Sequence, residues 1–144
     1  MAGIATLAAI AIPLWFSRPS ITLEGAANLL VEDILQVQEN AIMQRVGSRI
    51  EFDLDGGGYQ AMDSSGLALR APIGNGPYLR DYDMDAVFEG VLITEVDFGG
   101  KRCLEFDQGG YSLHDGHVIL TFRGKSKSVV FDANEVYVRS ADER

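Results

Sequence analysis

The sequence Gly3-Ile4-Ala5-Thr6-Leu7-Ala8-Ala9-Ile10-Ala11-Ile12-Pro13-Leu14-Trp15-Phe16 decides how the rest of the chain is interpreted. It carries no charge, and only Gly3, Thr6 and Pro13 interrupt its apolar character. A helix that is apolar on all sides has to be buried in lipid or against other copies of itself. A helix rises roughly 1.5 Å per residue and needs ~20 residues to span a bilayer, and this segment has fewer. We therefore expect either the end of a longer membrane helix or an anchor that enters the membrane part way.

The sequence allows two orientations of this anchor in the membrane. The first positive charge, Arg18, follows the apolar run, and no basic residue precedes it. Positive charge on the cytoplasmic side would then place the following domain in the cytoplasm. A basic segment ahead of Met1 would reverse that orientation.

Composition limits what the rest of the chain can do. The 144 residues suffice for one domain with a sizeable core. The net charge of −9 repels phosphate backbones, so nucleic-acid binding is not expected. A single cysteine, Cys103, excludes an internal disulfide, and its place in an alternating apolar run predicts a buried small side chain.

From Ile21 onward the apolar residues follow the spacing of a helix. This predicts an amphipathic helix from Ile21 to Val46 that ends at Gly47, continuous with the apolar segment and kinked at Pro13. The polar side is expected to hold Glu24, Glu32, Asp33, Glu39, Asn40 and Arg45. We divide the chain into a membrane or filament-core half of the helix (1–19), an amphipathic half (20–46) and a globular β domain (47–144).

After Gly47 the pattern changes to short alternating runs separated by turn residues, which is typical of antiparallel strands. The runs predict strands at Arg49–Leu54, Tyr59–Met62, Leu67–Arg70, Val87–Val96, Arg102–Phe106, His117–Phe122, Ser128–Phe131 and Val136–Arg139. Ala71–Asp85 is expected to be an exposed loop, and Phe98-Gly99-Gly100 a turn. The predicted class is α+β, with one long helix packed on an antiparallel sheet or sandwich.

The residues that could carry chemistry do not form a convincing site. Asp81, Asp83 and Asp85 alternate as in a calcium loop, but Ala86 and Leu92 stand where such a loop needs glycine and glutamate. They are therefore weak calcium candidates, and a solvated acidic loop is expected. His114 and His117 lack further ligands for zinc, and Ser112 has no partnered base in a nucleophile motif. We expect no catalytic residues, no cofactor and no metal.

One basic segment remains, Arg123-Gly124-Lys125-Ser126-Lys127. It is expected to form a hairpin turn. It can be a solvated tip or an electrostatic contact with an acidic neighbouring subunit.

The segment Leu7–Pro13 resembles the N-terminal helix of type IV pilins and type II secretion pseudopilins, which approaches the soluble part through a similar alanine- and isoleucine-rich run ending in proline. Leu30–Ile42, with Asp33 and Gln36, is similar to the same region of GspH/FimT-like minor pseudopilins. Leu104–Gly109 and the runs from Val118 onward resemble that family's later strands, so the likeness covers nearly the whole chain.

The resemblance also implies features that this sequence lacks. Members begin, after a basic leader, with phenylalanine and carry a glutamate at the fifth position, whereas no acidic residue here precedes Glu24. Aligning Pro13 implies about nine family positions ahead of Met1. A late start or a truncation is the expected reason.

By resemblance, the expected function is a minor pseudopilin of a type II secretion or type IV pilus system, a structural subunit without turnover. It would be held in the bacterial inner membrane by a single helix with its β domain in the periplasm, then join a filament with other pilin subunits and contact secreted substrate. The residues assigned to membrane insertion and assembly are Ile4, Leu7, Ile10, Ile12, Pro13, Leu14, Trp15 and Phe16. The alternatives are a major self-polymerising subunit and an anchored periplasmic binding module whose Ala71–Asp85 loop holds a ligand.

Overall fold

The long helix α1 spans Arg18–Gln44 in the computed structural model, which describes residues 18–140 and the side chains from Ile21 onward. The amphipathic pattern is confirmed. The helix buries a stripe of small and aliphatic side chains: Leu23, Ala26, Ala27, Leu30, Ile34, Val37 and Ala41. The predictions for Met1–Phe16, including the kink at Pro13, lie outside the described residues.

The helix ends earlier than the sequence suggested. Arg45 adopts a left-handed conformation (φ 55°), and the Val46 N–H donates to the Ala41 carbonyl (3.3 Å), a Schellman-type end. The prediction that Gly47 is the stop is wrong. Gly47 serves packing instead, because a Cβ there would lie 3.1 Å from the Phe106 carbonyl oxygen.

Eight strands follow, arranged in two four-stranded antiparallel sheets. The first sheet has the order β3-β2-β1-β5 and the second the order β4-β6-β7-β8. The strands are β1 (Ser48–Phe52), β2 (Gly58–Asp63), β3 (Leu79–Asp81), β4 (Leu92–Phe98), β5 (Cys103–Phe106), β6 (Gly116–Phe122), β7 (Lys125–Asp132) and β8 (Glu135–Ser140). The predicted α+β class is confirmed, and the β domain is a sandwich of two sheets instead of a single sheet.

Two tight hairpins fix the second sheet. Arg123 and Gly124 (φ 49° and 80°) join β6 to β7, and Ala133 and Asn134 (φ 51° and 66°) join β7 to β8. Two central residues with positive φ match the right-handed twist of the flanking strands. The hairpin predicted in the basic segment is confirmed, but β7 begins at Lys125, three residues earlier than expected.

The predictions for the irregular segment between β2 and β4 are the least accurate. Leu79–Asp81 forms β3 inside the region expected to be a loop, followed by a short 3-10 helix at Tyr82–Met84. Leu67–Arg70 contributes only isolated bridges, so the strand predicted there is wrong. The strand predicted from Val87 starts at Leu92, because Gly90 (φ 94°) and a bond from the Val91 N–H to the Phe88 carbonyl form a turn.

One core holds the three layers together. The helix packs against β1 and against β6, β7 and β8, so it contacts both sheets. Aromatic pairs link the sheets: Phe52 with Phe98 (6.2 Å between ring centroids) and Phe106 with Phe131 (5.6 Å). Such pairs add to the burial of their large apolar surface. The helix is thereby fixed along one side, and its other side is left in solvent.

Candidate assembly surface

The outward side of α1 combines exposed carboxylates with exposed apolar side chains. It carries three exposed carboxylates, at Glu24, Glu32 and Glu39. Between and beyond them lie exposed apolar side chains: Ile21, Leu35, Ile42 and Met43. All fall within about a third of the helix circumference at 3.6 residues per turn. We call this set the outer helix face.

The outer helix face is more apolar than a solvated helix surface needs to be. Leu35 is 49% exposed and Met43 is 72% exposed. Single exposed apolar residues are ordinary, but a row of them along one helix face, rimmed by charge, marks an interaction surface. This face mixes apolar side chains with carboxylates, so it can bind a partner by apolar contact and by attraction to positive charge.

Beneath that face, a buried carboxylate fixes the helix to the first sheet. Asp33 is 2% exposed, although the sequence placed it on the polar side of the helix. Arg80 holds it with a fork of two bonds, from Nε to Oδ2 (2.9 Å) and from Nη2 to Oδ1 (3.0 Å). The hydroxyls of Tyr59 and Tyr78 each donate to it at 2.5 Å. We call Asp33, Tyr59, Tyr78 and Arg80 the Asp33 clamp.

The charges within the clamp balance. Burial, together with the nearby Asp33 charge, raises the pKa of the Tyr59 and Tyr78 hydroxyls, so both stay protonated and donate. The hydrogen bonds to Asp33 raise the pKa of Arg80, which stays charged. One carboxylate thus faces one guanidinium and two neutral donors, which offsets the cost of burying the charge.

The sequence did contain a sign of this burial. Asp33 lies between Leu30 and Ile34, and four residues before Val37, which are all buried. That spacing belongs to the apolar stripe. A lone acid on such a stripe indicates a buried partner, but Tyr59, Tyr78 and Arg80 lie 26 to 47 residues away in sequence.

The weak calcium candidates are used locally as turn caps. The Asp81 carboxylate accepts from the Asp83 N–H (3.1 Å), and Asp85 accepts from the N–H groups of Val87 (2.8 Å) and Phe88 (3.3 Å). Such side-chain bonds stabilise turns without any ion. Across residues 18–140, no three His, Cys, Asp or Glu side chains are placed to hold a metal ion together.

The two histidines are not brought together. His117 Nε2 contacts Glu95 Oε2 (2.5 Å) across β6 and β4, while the ring of His114 packs under Gly99. Ser112 Oγ donates to the carbonyl of His114, not to its ring. These contacts provide no partnered nucleophile of the kind that acyl transfer needs.

The burial of the Cys103 side chain differs from the prediction. The side chain is half-buried instead of lying in the core, and its thiol donates to Glu105 Oε1 (3.2 Å). Burial, with the neighbouring Glu105, raises the pKa of the thiol to about 11. A thiol held protonated in this way is a poor nucleophile.

The basic segment forms a compact positive tip on the second sheet. The Arg123 guanidinium lies over the Phe122 ring (5.1 Å to the centroid), and Lys125 and Lys127 follow along β7. None of these three cations forms an ion pair with another described residue. A groove of about 570 Å³ lies between Thr22, Val87 and Arg123, which places the tip at the end of the domain where α1 enters.

Between Arg18 and Ser140, no helix is both long and apolar enough to cross a bilayer. The assembly residues assigned from sequence, Ile4 to Phe16, lie outside that part of the chain and stay a prediction.

This architecture, a long helix with one free face on two small antiparallel sheets, is the pilin-like fold. It is shared with the type IV minor pilin FimU of Pseudomonas aeruginosa (TM-score 0.57, 17% identity, covering 81% of this chain and 87% of that one). It is shared also with the minor pseudopilin EpsH of the Vibrio cholerae type 2 secretion system (TM-score 0.63, 12% identity, 84% and 98%). The sequence matches no protein-family profile and no curated protein.

Proposed function

We propose that this chain is a structural subunit of a pilus-like filament, a minor pseudopilin or minor pilin of the GspH/FimT type. The observation that carries the proposal is the outer helix face of α1 on a pilin-like fold, in a chain whose sequence has the apolar segment Gly3–Phe16 just ahead of α1. An apolar segment followed by a helix that exposes one apolar and acidic face on a folded domain suits a subunit that packs among parallel neighbours.

In this proposal the apolar segment serves two states. Before assembly it lies in the bacterial inner membrane, with the β domain in the periplasm. During assembly it leaves the lipid for the filament core, where the same segments of other pilin or pseudopilin subunits cover it. Burial of apolar surface is conserved in both states, so the transfer requires no large loss of hydrophobic stabilisation.

No turnover is assigned to the chain. The described contacts of Ser112, His114, His117 and Cys103 are structural, and the fold is shared with FimU and EpsH, a minor pilin and a minor pseudopilin. A role in protein secretion or pilus assembly follows from the proposal and is tested with it.

The test uses cells of the native species that lack the gene and express the full chain or a variant. We expect the wild-type chain to fractionate with the inner membrane and with sheared or overproduced filaments, and to restore secretion or piliation. The variant Leu7→Arg/Ile10→Arg should leave the domain folded, lose membrane association and fail to restore. The control Leu67→Arg, at an exposed position on the domain, should behave as wild type. A wild-type chain that neither joins filaments nor affects either process would contradict the proposal.

A further inference from the structure

Two loops lie beside the start of α1, at the end of the domain that the apolar segment Gly3–Phe16 precedes in sequence. Strands β1 and β3 both run back toward this end, because β1 follows the far end of α1 and both strands are antiparallel to β2. The turn 53–57 after β1 and the segment 82–90 after β3 therefore face the same way. We call them the helix-start loops.

Direct contacts hold the helix-start loops in this position. A Cβ on Gly25, near the start of α1, would lie 3.4 Å from the Phe88 ring. Tyr82 packs edge-on against Phe88, with 6.3 Å between the ring centroids. The Tyr82 N–H donates to the Gly57 carbonyl (2.9 Å), which joins the second loop to the first. Both loops are thereby fixed against the first turns of the helix.

Each helix-start loop exposes a large apolar side chain at its tip. Leu54 is 89% exposed in the first loop, and Met84 is 84% exposed in the second. Val87, also exposed, lines a groove with Thr22 and so lies beside the first turns of α1. Exposure alone would not select these residues, because Met43 at the other end of α1 is exposed as well. Their place beside the start of the helix distinguishes them.

The chain between the apolar segment and the helix-start loops is short. Only Ser17 separates Phe16 from α1, so Thr22 lies at most about 13 Å from Phe16, two extended residues followed by four helical ones. Under the proposed function the apolar segment lies in the bilayer before assembly, and the polar headgroup layer on each side is about 5–8 Å thick. A small tilt of the domain therefore brings the loop tips into that layer.

The charges around the loops indicate what kind of contact this is. The helix-start loops carry five carboxylates: Asp53, Asp55, Asp83, Asp85 and Glu89. Arg123 lines the same groove as Glu89, and Lys125 follows it in the β6–β7 hairpin. The carboxylates outnumber these cations, so net charge does not attract this end to an anionic surface. The contact that remains is partial insertion of apolar side chains into the membrane interface.

We propose that Leu54, Met84 and Val87 of the helix-start loops insert into the headgroup layer of the lipid bilayer while the subunit awaits assembly. A second point of attachment beside the apolar segment limits the tilt of the domain. The outer helix face is then kept turned along the membrane, toward neighbouring subunits. The inference rests on the proposed function and adds a lipid contact to it.

Fluorescence quenching by lipid tests this contact. The full chain carrying Cys103→Ser receives one new cysteine, Met84→Cys or Leu54→Cys, which is labelled with the fluorophore NBD. The protein is reconstituted at low density in phosphatidylcholine vesicles that contain a lipid with a nitroxide near its headgroup. We expect quenching and a blue-shifted emission at both positions. The matched control Met43→Cys, about 32 Å further along α1 than Thr22, should show the unquenched emission of a label in water.

A second measurement separates the contact of the loops from the affinity of the fluorophore itself for lipid. The label is moved to Val87→Cys, with and without Leu54→Ser/Met84→Ser. Removing the two apolar tips should reduce the quenching at position 87. High salt should leave the quenching unchanged, because an apolar contact is not screened. Circular dichroism checks that each variant is folded.

The contact would be overturned by labels at positions 54 and 84 that stay in water, or by quenching at position 87 that persists without the apolar tips. Quenching that requires anionic phospholipid or disappears at high salt would show adsorption by charge and also overturn it. Quenching that appears only as the protein density rises would assign the loops to a contact with another subunit instead. In all these cases, a chain that still floats with the vesicles and restores secretion or piliation keeps the proposed function. A chain that does not bind the vesicles at all would contradict both, so the two failures can be told apart.

Discussion

The strongest prediction concerns the Asp33 clamp. Replacing Asp33 with asparagine keeps the size of the side chain but removes its charge and half of its acceptor capacity. Arg80 and the hydroxyls of Tyr59 and Tyr78 then compete for one carbonyl oxygen, and the guanidinium loses its counter-charge. Removing one partner of a buried ion pair costs about 3–5 kcal/mol.

That range is reduced here by solvent. The Arg80 side chain is 34% exposed, so water compensates for part of the loss. We expect Asp33→Asn to lower the free energy of unfolding by about 2–4 kcal/mol, a large part of the roughly 5–15 kcal/mol of an ordinary domain. The measurement is urea unfolding of the full chain in detergent micelles, followed by circular dichroism. In a double-mutant cycle with Arg80→Gln, the two losses should be coupled by about 1 kcal/mol or more.

The control is the neighbouring acid. Glu32 has the opposite environment, because it is exposed on the outer helix face. Glu32→Gln should change the free energy of unfolding by less than about 0.5 kcal/mol. If Asp33→Asn is as mild as Glu32→Gln, or additive with Arg80→Gln, the argument that the clamp fixes the helix to the first sheet is refuted.

Three further predictions test other parts of the structure. Gly58→Ala should prevent folding or greatly lower the melting temperature, because the added Cβ would lie 1.9 Å from the Arg80 carbonyl oxygen in β3. The control Gly76→Ala has open space around it and should leave the melting temperature unchanged. Above pH 10 the unfolded state loses tyrosine protons that Tyr59 and Tyr78 retain in the folded state, so the free energy of unfolding should fall as pH rises past 10. The fall should be less steep in the variant Tyr59→Phe/Tyr78→Phe. An equal dependence on pH in the two proteins would refute the raised pKa values. At pH 8 the Cys103 thiol, with its pKa raised from 9.0 to about 11, should be alkylated about a hundredfold more slowly in the folded than in the urea-unfolded chain, and equal rates would argue against its burial.

The parts of the fold that depend on local pattern could be predicted from the sequence. The helical stripe from Leu23 to Ala41 and the alternation of β6 and β8 are set by neighbours a few residues apart. The Gly99-Gly100 turn was identified because glycine is the residue that tolerates positive φ at two successive positions (67° and 84°).

The predictions fail where the structure depends on contacts between residues that are distant in sequence. The sequence predicts Asp33 on the polar side of the helix, because nothing near Asp33 in sequence indicates its contacts with Arg80 and the two tyrosines. Strand β3 was missed because Leu79–Asp81 is short and is held by pairing with β2 and by the clamp, not by its own pattern. The sequence predicts a helix stop at Gly47, whose role in the structure is close contact with the backbone of Phe106.

The candidate site was predicted in part. The sequence indicated an amphipathic helix following an apolar segment, and therefore an assembly role for the N-terminal part. It did not indicate that apolar Leu35, Ile42 and Met43 stay on the outer face, because helical spacing alone does not say how wide the covered stripe is. That width depends on how the two sheets pack around α1.

The central claim, that this chain is a filament subunit, is tested most directly by crosslinking in living cells. A photo-reactive amino acid at Leu35, on the outer helix face, is compared with the same group at Ile73, which is 91% exposed in the loop of the binding-module alternative. The account predicts adducts at Leu35 that join this chain to other subunits of the pilin fold. Adducts at Ile73 with a ligand protein, and none at Leu35, would contradict it.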